Sequence, residues 1–421
     1  MSLSTITRAV GQRTRLLLAI TLVQAVLAYV CIKWGLVTGM LLYVQQVSLL
    51  VSIVYLVGVG AGWLVDSASR LARSLGISEL VIGLTIVAFG TSAPEMAASL
   101  AAGFKGNGDI TVANVIGSNI FNLCFILGGV ALLVKGGLHT ERALIIRDGP
   151  VLLGATLLLF LFVGASPFAG SAQDPGLGPS WLRLLNLKLE LGEGVLLTAA
   201  LAVYLVALYL VLRRDRADAR SHAGAGLAGV VVNHPAGSHG TGASSADRGR
   251  LVGHSRWIDL GFFVVGLVLV VGGCHFLVGH AEEAGGVVQG FGALWFAKKW
   301  GIPDYVVGVT IVAAGTSVPE FVVSLVAALR GAFGISAGNL LGSDIFNVLG
   351  VVGLSGIVLQ QPVAPPVMVS TLAVPSLMAL SGLVLVTIFF MWTGSRVSRL
   401  EGLLLVLIGI GRWILDFTSQ A

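Results

Sequence analysis

Residues Gly83 to Glu95 read GLTIVAFGTSAPE, and Gly308 to Glu320 read GVTIVAAGTSVPE, identical at 10 of 13 positions. The second copy follows the first by 225 positions (320 − 95). A further block, ANVIGSNIFN from Ala113 to Asn122, returns at the same offset as GNLLGSDIFN from Gly338 to Asn347. Two blocks repeating in one register mark an internal duplication, which constrains every other reading of the chain.

Both copies carry chemistry that is costly in an apolar segment. Glu95 and Glu320 lie deep in apolar runs, where a carboxylate costs about 2.5–3.5 kcal/mol on insertion scales. Each follows a proline, Pro94 or Pro319. Proline supplies no N–H, so the carbonyl four residues back, at Gly90 or Gly315, loses its helical donor. Thr91, Glu95 and Ser99 are spaced i, i+4, i+8 and share a helix face, as do Thr316, Glu320 and Ser324. The pattern predicts a broken helix that presents carboxylate, hydroxyl and carbonyl oxygens together, the all-oxygen shell that hard cations such as Ca²⁺ take. In the second block Ser118 and Asn122, and likewise Ser343 and Asn347, lie four apart on one face, with Asn114 and Asn339 extending each stripe. Four polar segments converging as two related pairs would form a pseudo-symmetric cage at the repeat interface, the way many secondary transporters build their sites.

The composition fits a chain that lives in lipid. Of 421 residues, 56% are hydrophobic and 11% charged, as in a polytopic membrane protein. The 57 glycines predict close helix–helix packing. Cys31, Cys124 and Cys274 form no CxxC or Cys/His cluster and read as small buried hydrophobes. The net charge of +5 belongs to loops on one side of the membrane, not to a nucleic-acid surface.

At GTSAPE with GSNIFN, and GTSVPE with GSDIFN, the sequence resembles the sodium/calcium exchangers of the cation/calcium antiporter superfamily. The resemblance covers nearly all the apolar chain from about Val51 onward. It implies alternating-access exchange of Na⁺ for Ca²⁺ in a multi-pass protein, plausibly of a bacterial cytoplasmic membrane. Carried over by motif position, Glu95 and Glu320 would be the shared central carboxylates. Thr91, Ser92, Thr316, Ser317, Ser118 and Ser343 would supply further oxygens, as would the carbonyls of Ala88 and Ala313. Asn122 and Asn347 would line the middle. Some relatives carry Asp where this chain has Asn347, and in the potassium-dependent branch that acid is tied to K⁺, so exchange here is expected to be independent of K⁺. Asp344 stands where the first half has Asn119. An extra cation ligand and a helix-interface hydrogen bond are both open for it.

The expected fold is all-α: two inverted five-helix repeats with an extra N-terminal transmembrane helix. Residues 1–35 form the leader, 36–213 the first repeat, 214–256 a flexible cytoplasmic linker and 257–421 the second repeat. Spans of about 20 residues are expected near 40–65, 78–101, 109–134, 144–164, 192–213, 257–281, 303–329, 335–359, 369–391 and 398–416, eleven with the leader. The arginine-bearing loops alternate onto one side, which the positive-inside rule places in the cytoplasm. Five spans per repeat is an odd number, so the halves must be inverted. The second half carries an insertion, GVVQGFGALW, readable as an interfacial helix or a plain loop. Asp66 and Asp259 fall at span ends, and His275 reads as a packing residue. The leading function is a Na⁺/Ca²⁺ antiporter with no cofactor, no nucleic-acid partner and no obligate protein partner. An H⁺-coupled or other divalent-cation antiporter on the same frame is the alternative. An intramembrane hydrolase built on Ser92 is more remote, because no histidine repeats with the motif.

Overall fold

In lipid, backbone N–H and C=O groups find no partner but one another, and the apolar runs accordingly become helices. The computed structural model describes residues 20–34, 39–104, 108–165, 188–189, 191–225, 256–278, 280–284, 287–300, 313–358, 367–368 and 373–418. The first half contains α1 (Ile20–Lys33), α2 (Gly39–Leu75), α3 (79–91), α4 (Ala93–Phe104), α5 (108–133), α6 (144–165) and α7 (Leu191–Ala225). The second contains α8 (Arg256–Val278), α9 (Gly292–Lys299), α10 (Ala313–Thr316), α11 (Val318–Leu329), α12 (333–358), α13 (Ala373–Gly394) and α14 (Arg399–Thr418). The strands are short: β1 (Leu138–His139) pairs with β6 (Arg396–Val397), β2 (Lys188–Leu189) with β5 (Val367–Met368), and β3 (His280–Ala284) with β4 (Val287–Phe291), all antiparallel.

Close approach of backbones organises the packing. The most extensive packing across the halves is between α2 and α8, where a Cβ on Gly266 would stand 2.7 Å from the Gly60 carbonyl oxygen. The motif helix α3 lies against α12, and a Cβ on Gly338 would meet Leu80 O at 2.6 Å. Only glycine permits such contacts, and small residues at interfaces are how helices associate without a hydrophobic driving force. Buried apolar side chains form two clusters. One gathers α5, α6, α12 and α13 around Leu123, Leu127, Leu152, Leu340 and Leu380; the other gathers α2, α8 and α11 around Leu64, Val270 and Val323. The opposite faces stay apolar too: Val203 is 68% exposed and Leu385 54%, as befits surfaces solvated by acyl chains.

Several expectations change. Among the described residues eight helices are long and apolar enough to cross a membrane, against eleven expected. The described part of the leader, Ile20–Lys33, is an apolar helix, and residues 1–19 lie outside the described set. Helix α14 (Arg399–Thr418) coincides with the span expected at 398–416. Of the span expected at 303–329, residues before 313 lie outside the described set. The first helix runs ten residues past its expected end, to Leu75, and α7 continues to Ala225, twelve residues into the expected linker. Alanine and arginine there are strong helix formers. The rest of the linker, 226–255, lies outside the described residues. The insertion is neither plain loop nor simple helix: it closes the β3–β4 hairpin and opens α9, whose Trp295 is buried. Gln46 of α2 fastens it, donating to Gly290 O at 2.9 Å and accepting from Gly292 N at 3.3 Å. Asp259 is buried and ion-paired with Arg70 at 2.5 Å, Asp66 pairs with Arg330, and His275 is exposed rather than packed.

Candidate functional site

From Ala88 and from Ala313 onward the two copies of the motif fold alike. Helix α3 begins at Ser78, whose hydroxyl accepts from Val81 N, passes through a π-helical turn at Gly83–Val87 and stops at Ser92 (φ −80°, ψ 2°). Helix α4 restarts immediately, with Pro94 in its first turn where a missing N–H is harmless. In the second copy α10 stops at Ser317 (φ −90°, ψ 4°) and α11 restarts with Pro319. The break thus falls at the serine of each GTS, with Met96 N bonded to Ser92 O and Phe321 N to Ser317 O, both at 3.1 Å. Helices α5 and α12 each turn π-helical where the second block ends, at Asn122–Leu127 and Phe346–Val352. Single π turns of this kind recur at functional sites.

These breaks bring the two glutamates into one buried region. Glu95, Glu320, Thr91, Ser92, Ser317, Ser118 and Ser343 are all fully buried, and Asn122 and Asn347 nearly or fully so. Each carboxyl is served by the opposite half. Ser317 Oγ donates to Glu95 Oε1 at 3.2 Å, and Ser92 Oγ donates to Glu320 Oε1 at 3.4 Å. Thr316 and Thr91 neighbour the same two carboxyls. The Ala88 carbonyl accepts Ser92 N at 3.0 Å and Thr91 Oγ1 at 3.2 Å. Ala313 opens the short turn Ala313–Thr316.

Behind this set stands a layer of amides. Asn114 Nδ2 donates to Ser99 Oγ at 3.2 Å, and its counterpart Asn339 Nδ2 to Ser324 Oγ at 3.0 Å. Thr91 Oγ1 reaches Asn339 Oδ1 at 3.0 Å, tying α3 to α12. Asn122 Nδ2 donates to Asp344 Oδ1 at 2.8 Å and Asn347 Nδ2 to Asn119 Oδ1 at 3.0 Å. Asp344 thus makes a helix-interface hydrogen bond.

Six buried oxygens in this region have no hydrogen-bond partner among the described residues: Glu95 Oε2, Glu320 Oε2, Asp344 Oδ2, Ser118 Oγ, Asn122 Oδ1 and Asn347 Oδ1. Buried polar atoms are otherwise almost always satisfied. Acceptors gathered in this way have the chemistry of a hard-cation shell. The acids of this region are Glu95, Glu320 and Asp344, set among neutral oxygens. A further buried acid, outside the repeated blocks, was not legible in the sequence: Asp148 takes both forks of Arg147 at 2.8 Å and the Tyr204 hydroxyl at 3.0 Å. Only its position after an arginine hinted at the pair.

Known proteins resemble this chain over most of its length. The family model described as sodium/calcium exchanger protein matches residues 45–210 and 258–410. The chain is 32% identical over 377 residues to the sodium/calcium exchanger MaX1 of Methanosarcina acetivorans, covering 89% of this chain and 99% of that one. It is 30% identical over 379 residues to the putative antiporter CaxA of Alkalimonas amylolytica, again covering 89% and 99%. Among solved structures, the sodium-calcium exchanger NCX_Mj superposes with a TM-score of 0.62 at 23% identity, over 88% of this chain and 97% of that one. That last likeness speaks to the fold.

Proposed function

The chain belongs to the sodium/calcium exchanger family, an integral membrane family of transporters, and from that premise we propose that it exchanges Na⁺ for Ca²⁺ by alternating access, without K⁺. The observation that carries the reading is the set of buried, unpartnered oxygens around two carboxyls. In this reading Glu95 and Glu320 hold one Ca²⁺ between them, aided by Thr91, Thr316, Ser118, Ser343, Asn122 and Asn347. Several Na⁺ take the same carboxyls together with Ser92, Ser317 and the carbonyls of Ala88 and Ala313. Two negative charges balance one divalent ion, and a loaded site is far cheaper to carry through a low-dielectric core than an empty one. That difference couples the ions, because a state change is favoured only by ligands that offset its cost. The halves would act as inverted repeats, so that two nearly equivalent arrangements open to opposite sides.

Neutral Asn347 supports K⁺ independence, since it brings no extra charge for a further monovalent ion. Proton coupling through the glutamates is the competing reading. Proteoliposomes with an imposed Na⁺ or pH gradient separate the two. Ca²⁺ uptake driven by outward Na⁺ at clamped pH is expected; uptake driven only by the pH gradient would overturn the Na⁺ assignment.

A further inference from the structure

Residue 344 departs from the internal repeat, and the amides around it show a consequence. The bonds from Asn122 to Asp344 and from Asn347 to Asn119 are one contact made twice, because 122 and 347, like 119 and 344, are separated by the repeat offset. An asparagine amide can turn through a half-rotation and exchange its donor for its acceptor, so its orientation is fixed only by neighbours that do one or the other. The Asp344 carboxyl oxygen Oδ1 accepts from Asn122 Nδ2, which holds that amide with its N–H groups toward residue 344. Ser343 agrees: its proton goes to Leu340 O at 3.0 Å, leaving its oxygen to accept from Asn122 Nδ2 at 3.4 Å. The backbone carbonyl of Asp344 also only accepts, and it takes Asn119 Nδ2 at 3.1 Å. That turns Asn119 Oδ1 to Asn347, whose Nδ2 it receives. Both Asn122 Oδ1 and Asn347 Oδ1 are left without a hydrogen-bond partner among the described residues. Reversed amides would offer N–H groups, which repel a cation.

We propose that Asp344 is a positioning residue: its carboxylate and its backbone carbonyl set the rotation of the Asn122, Asn119 and Asn347 amides so that amide oxygens, not N–H groups, line the cation site. The proposal rests on the cation-site reading above. It assigns Asp344 Oδ1 and the Asp344 carbonyl an acceptor's role toward the amides, and leaves Asp344 Oδ2 without a partner among the described residues. It also explains why asparagine serves at 119, where the carbonyl of residue 344 already fixes the amide.

The test compares Asp344→Asn, which keeps an acceptor and loses the charge, with Asp344→Leu, which loses both. Ca²⁺ half-saturation and maximal rate are measured in proteoliposomes, and thermal midpoints in ion-free detergent. Asp344→Leu is expected to raise the Ca²⁺ half-saturation by about 10–100-fold, the usual cost of losing an outer-shell partner, with maximal rate and ion-free midpoint near the parent values. Asp344→Asn is expected to stay within roughly threefold of the parent, a small part of that outer-shell cost. Equal impairment of the two variants, or no impairment in the leucine variant, would overturn the proposal. If Asp344→Leu does not fold, Asn119→Leu and Asn119→Asp pose the same question for the relay to Asn347. The leucine alone should weaken Ca²⁺, and equal behaviour of that pair overturns the inference. Glu95→Gln is run alongside: unaltered Ca²⁺ binding in that variant would sink the cation-site reading itself, independently of residue 344.

Discussion

The hydroxyl of Ser317 donates to Glu95 Oε1 at 3.2 Å, across 222 positions of sequence. The reciprocal bond, Ser92 to Glu320, is 3.4 Å. Neither half of the chain therefore completes its own carboxyl. A site built this way exists only when the halves are docked, and any motion of one half against the other is felt at both glutamates at once.

Replacing either glutamate by glutamine keeps the shape and the Ser317 or Ser92 contact but removes one of two charges facing a divalent ion. Glu95→Gln and Glu320→Gln should each weaken Ca²⁺ transport at least about a hundredfold, roughly 2.8 kcal/mol, while the protein remains monodisperse in detergent. Radioactive Ca²⁺ uptake into Na⁺-loaded vesicles measures this.

Exchange should proceed at the same rate with K⁺ or choline as the bulk cation, since Asn347 is neutral. Paired flux measurements suffice. A strict K⁺ requirement, with K⁺ moving alongside Ca²⁺, would show that another group supplies the missing charge.

Na⁺ and Ca²⁺ should compete, because both need Glu95 and Glu320 to offset a buried charge. Titrating Na⁺ against Ca²⁺/Ca²⁺ exchange should raise the half-saturation for Ca²⁺ and leave the maximal rate recoverable at high Ca²⁺. Purely non-competitive inhibition would contradict a shared site.

The ion pairs that tie α2 to its neighbours should differ in worth. The Asp259 carboxyl is 6% exposed and bonded to Arg70 at 2.5 Å, whereas Arg330 and Asp66 are 42% and 49% exposed. Arg70→Ala strands a buried acceptor and should cost about 1–3 kcal/mol, largely recovered in the double variant with Asp259→Asn. Asp66→Ala should cost less than about 1 kcal/mol, as exposed pairs do. Thermal unfolding in detergent, read as a double-mutant cycle, discriminates these outcomes.

Gly338→Val places methyl groups where even a Cβ would lie 2.6 Å from Leu80 O. Overpacking of this kind costs about 1–3 kcal/mol or more. The variant should unfold at lower temperature and lose exchange, because α3 and α12 both carry site residues. The thermal midpoint and uptake are measured on the same preparation.

Local chemistry was enough to read the broken helices. Proline with a missing N–H, a carboxylate in an apolar run and hydroxyls at helical spacing are consequences of neighbours within one or two turns, and α3–α4 and α10–α11 break beside them. The duplication, the all-α membrane class and the residues of the two blocks were legible for the same reason. What the sequence left open depends on atoms far apart in the chain. Helix ends at Leu75 and Ala225 follow from helix propensity beyond the apolar window, not from hydropathy. The insertion became a hairpin and helix because Gln46, some 245 positions earlier, supplies its donor and acceptor. Which way Asn122, Asn119 and Asn347 turn their amides was set by contacts between α5 and α12. Spacing along one helix fixes which residues share a face; only the packed partner decides whether an oxygen there is already taken.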